Sequence, residues 1–578
     1  MIMKYDALLF FSILLCIATG APAEAQAPQS IVGAGKTVDP YHYTILKSAT
    51  FSKAAVASAH PLASQVGAAI LRQGGNAFDA AIATQLALAV VYPGAGNIGG
   101  GGFLLGRKSD GSLTAIDYRE MAPAKAYRDM YLDQQGNAQT HLSQDGHLAS
   151  GVPGTVAGLF ATLPHAKLPL KQLIQPAIDL AATGFVLSAR EAASLNSHHQ
   201  DFITNSSAIP VFAKQKAWKA GDTLVQKDLA NTLKRIRDKG AKGFYEGETA
   251  RLIVAEMQKG KGIITAADLK AYQAKARTPL AFDYKGYHII GFPPPSSGGI
   301  ILQQVLKMIE KYPVSTYGFQ TAASVQLMTE AERRSYADRA RYMGDPDFTK
   351  VPVTALVNDR YLQTRMSSFT PGKASKSTDI KETIFPESEE TTHISIYDNE
   401  GNMVSITTTL NGGYGSRTVV AGAGFLLNNE MDDFSIKPGV PNMYGAVGGE
   451  ANAIQPGKRM LSSMCPTLAL QNNKPCFVLG TPGGTTIPTS VFQTLVNLVD
   501  FGMTANDAVN KPKFHHQWLP DEVFVEKAFP LTVRKELQAM GYTITERGSI
   551  GRTELICITS KGIETAADER GDDSVAGW

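Results

Sequence analysis

Cysteine is scarce in this 578-residue chain: four residues, at positions 16, 465, 476 and 557, with no CxxC spacing. That excludes a fold framed by several disulfides and a thiolate zinc site. Histidine is also thin, at 11 residues, and HExxH is absent. The pairs His198-His199 and His515-His516 lack ligand spacing, so they read as hydrogen-bonding residues, and no metal or other cofactor is expected. Excess charge is missing too. A formal net charge of +3, with no Lys/Arg run interleaved with aromatics, argues against nucleic acid as a partner. Neither a GxSxG elbow nor a legible Ser-His-Asp arrangement is found. The N-terminal apolar run, Ala7 to about Ala18, is too short to span a bilayer.

That run is flanked by Lys4 and by an A-x-A ending, which is the pattern of a secretory signal. Cleavage is expected after Ala25 or Ala27, with residues 1–25 as signal and the mature chain periplasmic or extracellular. Bulky Leu15 before Cys16 argues against lipid attachment, and Cys16 leaves with the signal. Three mature cysteines remain, and one disulfide with a spare thiol or three packed thiols both fit.

Along the chain, residues 61 to 91 read as two helices broken at Gly74-Gly75-Asn76, the second apolar nearly all round and therefore buried. "YPGAGNIGGGGFLLGR" contains a formal GxGxxG at Gly94–Gly99. Its context is wrong for a dinucleotide, because a helix precedes it and a strand follows. "LTAIDYREMAP" is strand-like up to Arg119, and residues 155 to 275 are mostly helical. "YHIIGFPPPSSGGIILQQVLKMIEKY" is a strand, a turn and a helix, and residues 319 to 342 predict a long amphipathic helix. Beyond 391 the chain turns strand-rich, with helices near 486–500, 504–510 and 530–540. Strands and helices in both halves, with no linker except 367–390, predict one layered α+β domain.

The seam at residue 391 is the most informative point. "SSFTPGKASKSTDIKETIFPESEE" has no period and reads as an exposed loop of about two dozen residues, a length that is usually functional. It stops at Thr391-Thr392, where "TTHISIYDNEGNMVSITTTLN" predicts a hairpin with one buried face, turning at Glu400. Symmetric pairing about that turn sets Thr391 across from Thr409, with Asn411 two residues on. A threonine hydroxyl needs a base. An N-terminal threonine carries its own, the α-amine, with a reference pKa of ~7.7–8.0. Thr391 becomes N-terminal only if the Glu390–Thr391 bond breaks, which an exposed loop allows. Downstream, "GTPGG" before a helix offers the amides of Gly483 and Gly484 to a negative oxygen.

The motifs "TTHISIYD", "TTTLNGGYGS", "GFLLNNEMDDFSIKPGVPNMYG", "KRMLSSMCPT", "GTPGG" and "FHHQWLPDE", preceded by "GGGGFLLGR", "DYREMAP", "GVPGTVAGL", "PPPSSGG" and "ADRARYMGDPDF", resemble the bacterial γ-glutamyltransferases over nearly the whole mature chain. The resemblance implies an N-terminal-nucleophile hydrolase with a four-layer αββα sandwich. Its precursor would cut itself between Glu390 and Thr391 into a large subunit (26–390) and a small subunit (391–578), which stay together as a heterodimer. It implies Thr391 as nucleophile, Thr409 as its support, and Gly483 and Gly484 as oxyanion donors. Arg119, with Ser462 and Ser463, would bind the α-carboxylate of a γ-glutamyl group. Asn411, Glu430 and Asp433 would hold its α-ammonium, and Tyr444 would belong to a lid. Many bacterial members carry Gln where Glu430 stands. The implied substrates are glutathione and related γ-glutamyl compounds, with water, amino acids or peptides as acceptors. Two alternatives remain at this stage: a cephalosporin or glutaryl acylase of the same superfamily, and a secreted binding protein that never matures.

Overall fold

The computed structural model describes residues 38–380, 391–437, 439–440, 442–443, 445 and 448–578. The expected signal, the scissile Glu390 and Tyr444 lie outside these residues. Two seven-stranded sheets form the centre. One runs, edge to edge, Ser574–Gly577, Ala55–Ser58, Thr392–Tyr397, Met403–Thr409, Gly101–Arg107, Leu113–Asp117 and Lys275–Arg277. The other runs Ser48–Phe51, Gly562–Ala567, Glu554–Thr559, Lys474–Gly480, Thr467–Gln471, Tyr287–Gly291 and Leu280–Tyr284. All pairings within both sheets are antiparallel.

Helices cover the outer faces. Pro61–Arg72 and Ala77–Val91 lie over the first sheet, Gly298–Ile309 and Thr486–Val499 lie over the second, and Ala322–Tyr342 packs against Gly298–Ile309. The result is the expected αββα order of layers. The break between the first two helices falls where the glycines put it: Asn76 caps the second helix, accepting from the amides of Phe78 and Asp79, while Asp79 returns a bond to the Asn76 amide. All fifteen residues of that helix are buried.

Two expectations need correction. The 391 hairpin is buried on both faces, not one, because its sheet is covered on both sides. Ile394, Ile396, Val404 and Ile406 face the helices, while His393, Ser395, Ser405 and Thr407 lie buried on the opposite side, toward the second sheet. The helix over 322–342 is not simply amphipathic. Its Glu330, Arg333, Arg334 and Arg339 are buried, with Arg334 Nη1 at 2.5 Å from the Glu330 carboxylate. The loop before Thr391 is mostly exposed over 367–380, yet it is pinned. Trp518 Nε1 donates to the carbonyls of Ser377 (3.0 Å) and Ile380 (2.7 Å). Cys465, Cys476 and Cys557 are buried free thiols. Among the described residues no helix is long and apolar enough to cross a membrane.

Candidate active site

Thr391 stands immediately before the strand Thr392–Tyr397 and is buried, at 6% exposure. The hairpin register pairs Thr392 with Thr408 and Ile394 with Ile406, which brings Thr391 to the level of Thr409 as symmetric pairing requires. Past Thr409 the chain enters a tight loop. Asn411, Tyr414 and Arg417 adopt φ of 76°, 62° and 58°, a left-handed conformation that costs non-glycine residues and gathers at functional sites. Hydrogen bonds hold it there: the Asn411 amide donates to Thr409 Oγ1 (2.7 Å), and its Nδ2 donates to the Asn429 carbonyl (3.0 Å).

The second sheet supplies the facing wall. Strand Lys474–Gly480 runs through Thr481-Pro482-Gly483-Gly484 into the helix Thr486–Val499. Gly483 and Gly484 have φ of 133° and 52°, and a Cβ on Gly483 would sit 2.5 Å from Thr486 Oγ1. Only glycine fits this turn. A buried imidazole ties the two sheets together beneath it. His393 Nδ1 lies 2.9 Å from Thr407 Oγ1, and Nε2 lies 3.2 Å and 3.3 Å from the hydroxyls of Ser395 and Ser405. Those serines donate to the carbonyls of Glu554 and Leu479 on the other sheet, at 3.0 Å and 3.1 Å. Burial pushes the His393 pKa down to about 3, so the ring is neutral and serves as structure, not as a base.

The ionic part of the site is assembled from distant segments. Arg119 Nη1 meets Glu430 at 2.5 Å and Glu120 at 3.6 Å, and Nη2 binds Asp433 and the Leu461 carbonyl. Burial raises the Glu430 pKa well above the carboxylate range; Arg119 opposes this, while Glu120 and Asp433 add to it. Burial also raises Asp433, against the opposing pull of Arg119, Arg339 and Asn442, and it pushes Glu120 up to about 8. Three carboxyls around one guanidinium cannot all be ionised cheaply. Arg119, Thr391, Thr409, Asn411, Glu430, Asp433, Ser462, Ser463 and Gly484 all line one cavity of about 20 Å³, room for a single water. Gly483 lies on the other side of Thr391, in a cavity of about 360 Å³. The groups expected to bind opposite poles of a substrate are paired with one another in the continuous chain.

A profile for Gamma-glutamyltranspeptidase matches residues 63–578. The chain belongs to the γ-glutamyltranspeptidase family. It is 46% identical to a glutathione hydrolase proenzyme of Escherichia coli K12, over 96% of each chain. It is 35% identical to the Acylase ACY 1 proenzyme of Pseudomonas sp. strain SE83, over 90% of this chain and 92% of that one. The fold matches a cephalosporin acylase from Bacillus halodurans with a TM-score of 0.81 at 26% identity, covering 94% of this chain and 99% of that one. The αββα layers are thus those of the N-terminal-nucleophile hydrolases.

Arg339 is a family-site neighbour that sequence reasoning passed over. It lines the small cavity and donates to Ser297 Oγ and Ser463 Oγ, both at 3.1 Å. In a helix rich in Glu and Arg nothing marks Arg339 apart from Arg341 until packing is known. Glu120 and His393 were missed for the same reason, although each sits beside a residue that was singled out.

Proposed function

We propose that the chain is a self-processing γ-glutamyltransferase that cleaves the γ-glutamyl amide of glutathione and related compounds. The observation that carries this is the position of Thr391, between two glycines with N–H groups available for an oxyanion and a buried Arg119–Glu430–Asp433 cluster. In maturation, Thr391 Oγ attacks the Glu390 carbonyl carbon, the C–N bond breaks, and the acyl group passes from nitrogen to oxygen. That shift frees the Thr391 α-amine, and water then hydrolyses the ester, freeing the Thr391 hydroxyl and the Glu390 carboxylate. In turnover that amine takes the hydroxyl proton as Oγ attacks the γ-carbonyl, and returns it to the leaving amine. Gly483 and Gly484 stabilise the oxyanion. The substrate's α-carboxylate takes over Arg119 with help from Ser462 and Ser463, and its α-ammonium takes over Glu430, Asp433 and Asn411, so each pole replaces an existing partner.

An acylase reading is supported by the fold match and by the 35% relative. It leaves the Glu430–Asp433 pair unexplained, because an acyl group without an α-ammonium has no need of two carboxyls there. Denaturing electrophoresis of active protein tests the proposal. Chains of about 39 and about 20 kDa are expected from a 61.8 kDa precursor that also loses its signal. Thr391→Ala should remain one inactive chain, and an active enzyme of one intact chain overturns the reading.

A further inference from the structure

Arg119 is held at its backbone as firmly as at its guanidinium. Its amide donates to Asp117 Oδ1 at 3.0 Å. Its carbonyl accepts from the Tyr272 hydroxyl at 2.7 Å and from Arg459 Nε at 3.3 Å. Arg459 Nε also lies 3.3 Å from Asp117 Oδ1, so one guanidinium spans both ends of the residue. Asp117 ends the strand Leu113–Asp117 and is wholly buried. Its second oxygen takes Arg277 Nε at 3.0 Å and Nη2 at 2.8 Å. Arg277 stands on the neighbouring strand and is tied in turn to Asp347 at 2.9 Å. Both oxygens of this buried carboxylate are therefore satisfied, which makes the network rigid.

Arg459 reaches the cluster from the other side of the proposed cut. It is buried, its amide donates to Asp345 Oδ2 at 2.8 Å, and its Nη2 donates to the Gln273 carbonyl at 2.7 Å. The next two residues, Met460 and Leu461, offer their carbonyls to Arg119 Nε and Nη2, at 3.3 Å and 3.2 Å. Ser462 and Ser463 follow and line the small cavity. One short segment thus grips Arg119 at the backbone, grips it at the guanidinium and presents two serines. Asp117 and Arg459 lie outside the linings of both cavities beside Thr391, so they act on a bound molecule only through these neighbours.

We propose that Asp117 and Arg459, paired across the proposed cut, are positioning residues that hold Arg119 in register with a substrate's α-carboxylate, and that this register sets the preference for substrates carrying one. The inference rests on the γ-glutamyl reading of the site. Glu120, Glu430 and Asp433 all pull on the Arg119 guanidinium. A substrate carboxylate displaces them only if the fork keeps its place as it arrives, because a two-pronged pairing tolerates little displacement. Asp117 fixes the Arg119 peptide. Arg459 couples that peptide to the segment bearing Ser462 and Ser463, so the groups expected at the carboxylate are set as one unit.

The test is a ratio of kcat/KM values, for a γ-glutamyl anilide over the 4-aminobutanoyl anilide, which is the same donor without the α-carboxylate. A loss of folded enzyme lowers both values equally and cancels. Asp117→Asn keeps an acceptor for the Arg119 amide but gives up the charge that holds Arg459 and Arg277. It should lower the ratio about tenfold, mainly through the KM of the γ-glutamyl donor. Arg459→Lys keeps the charge without the fork and should lower the ratio about threefold. The lysine variant decides the matter if Asp117→Asn gives no active enzyme. An unchanged ratio in either active variant, with both rates falling together, marks a merely structural role and overturns the assignment. If the wild type uses the two donors equally well, the parent reading of Arg119 fails instead, and the two failures are distinguishable.

Discussion

Arg119 carries more of the site's charge balance than any other side chain. It is 1% exposed and faces Glu120, Glu430 and Asp433. Removing it leaves those carboxyls without their cation and the substrate carboxylate without a partner. Arg119→Ala should cost about 2–5 kcal/mol in kcat/KM, and Arg119→Lys should not restore it, because an ammonium lacks the planar fork that pairs with both carboxylate oxygens. Steady-state kinetics with a γ-glutamyl amide, and with an analogue lacking the α-carboxylate, check this. Equal turnover of the two by the wild type would remove Arg119 from that role. Thr391 has the sharpest expectation, since its hydroxyl is needed twice. Thr391→Ala should abolish both the cut and turnover, read on one gel and one assay.

The hairpin Thr392–Thr409 and the strand Lys474–Gly480 act as a pair. The first follows the proposed nucleophile Thr391 and the second leads into the turn proposed to hold the oxyanion, and His393 packs between them. Gly480 approaches the imidazole so closely that a Cβ would lie 2.2 Å from Cε1 and 2.4 Å from Nδ1. Gly480→Ala should therefore push the sheets apart, destabilising the fold by about 1–3 kcal/mol as an overpacked core does. Because the push falls below Thr391, self-cleavage should slow as well. Urea denaturation and the time course of the cut measure the two effects. Normal stability with normal processing would mean that the strands shift without consequence.

Over the whole molecule, the two expected subunits are interleaved. In the sheet that carries Thr391, strands Ala55–Ser58 and Gly101–Arg107 from the first part flank the hairpin from the second. In the other sheet, Ser48–Phe51 and Tyr287–Gly291 bracket four strands of the second part. Separation would expose both cores and break five ladders, so the cut halves should elute together from a sizing column and part only under denaturation. Elution as two species would contradict the proposed heterodimer. The same interlocking buries His516, whose amide donates to the Glu332 carboxylate at 2.9 Å across the halves. Burial lowers the His516 pKa to about 4, against an unfolded value near ~6.5. Its folded value is depressed, so its contribution is complete above about pH 6.5 and is lost as pH falls toward 4. The urea midpoint of wild type should exceed that of His516→Gln at pH 7.5. The gap should close on acidification by up to about 1.4 kcal/mol per pH unit, and a gap independent of pH would remove His516 as the cause.

The sequence determined by itself what depends on local pattern. Alternating Ile and Val about a DNEGN turn set the hairpin register, and hence Thr391 level with Thr409. Gly74-Gly75-Asn76 set the helix break, and the spaced motifs set the family and the layered fold. The register and the helix break are short-range preferences of backbone or burial, so neighbouring residues suffice to read them, whereas the four-layer fold was implied by the motifs' resemblance to a known family. Only the tertiary structure decided which charges meet. Arg119, Glu430, Asp433 and Arg339 are separated by up to hundreds of residues, and nothing local tells a buried guanidinium from a solvated one. The same holds for the polar face of the hairpin. His393, Ser395, Ser405 and Thr407 look like a wet surface in sequence and become the inter-sheet layer because a second sheet covers them. Which side of Thr391 is filled by an ion cluster and which is open was likewise set by long-range packing.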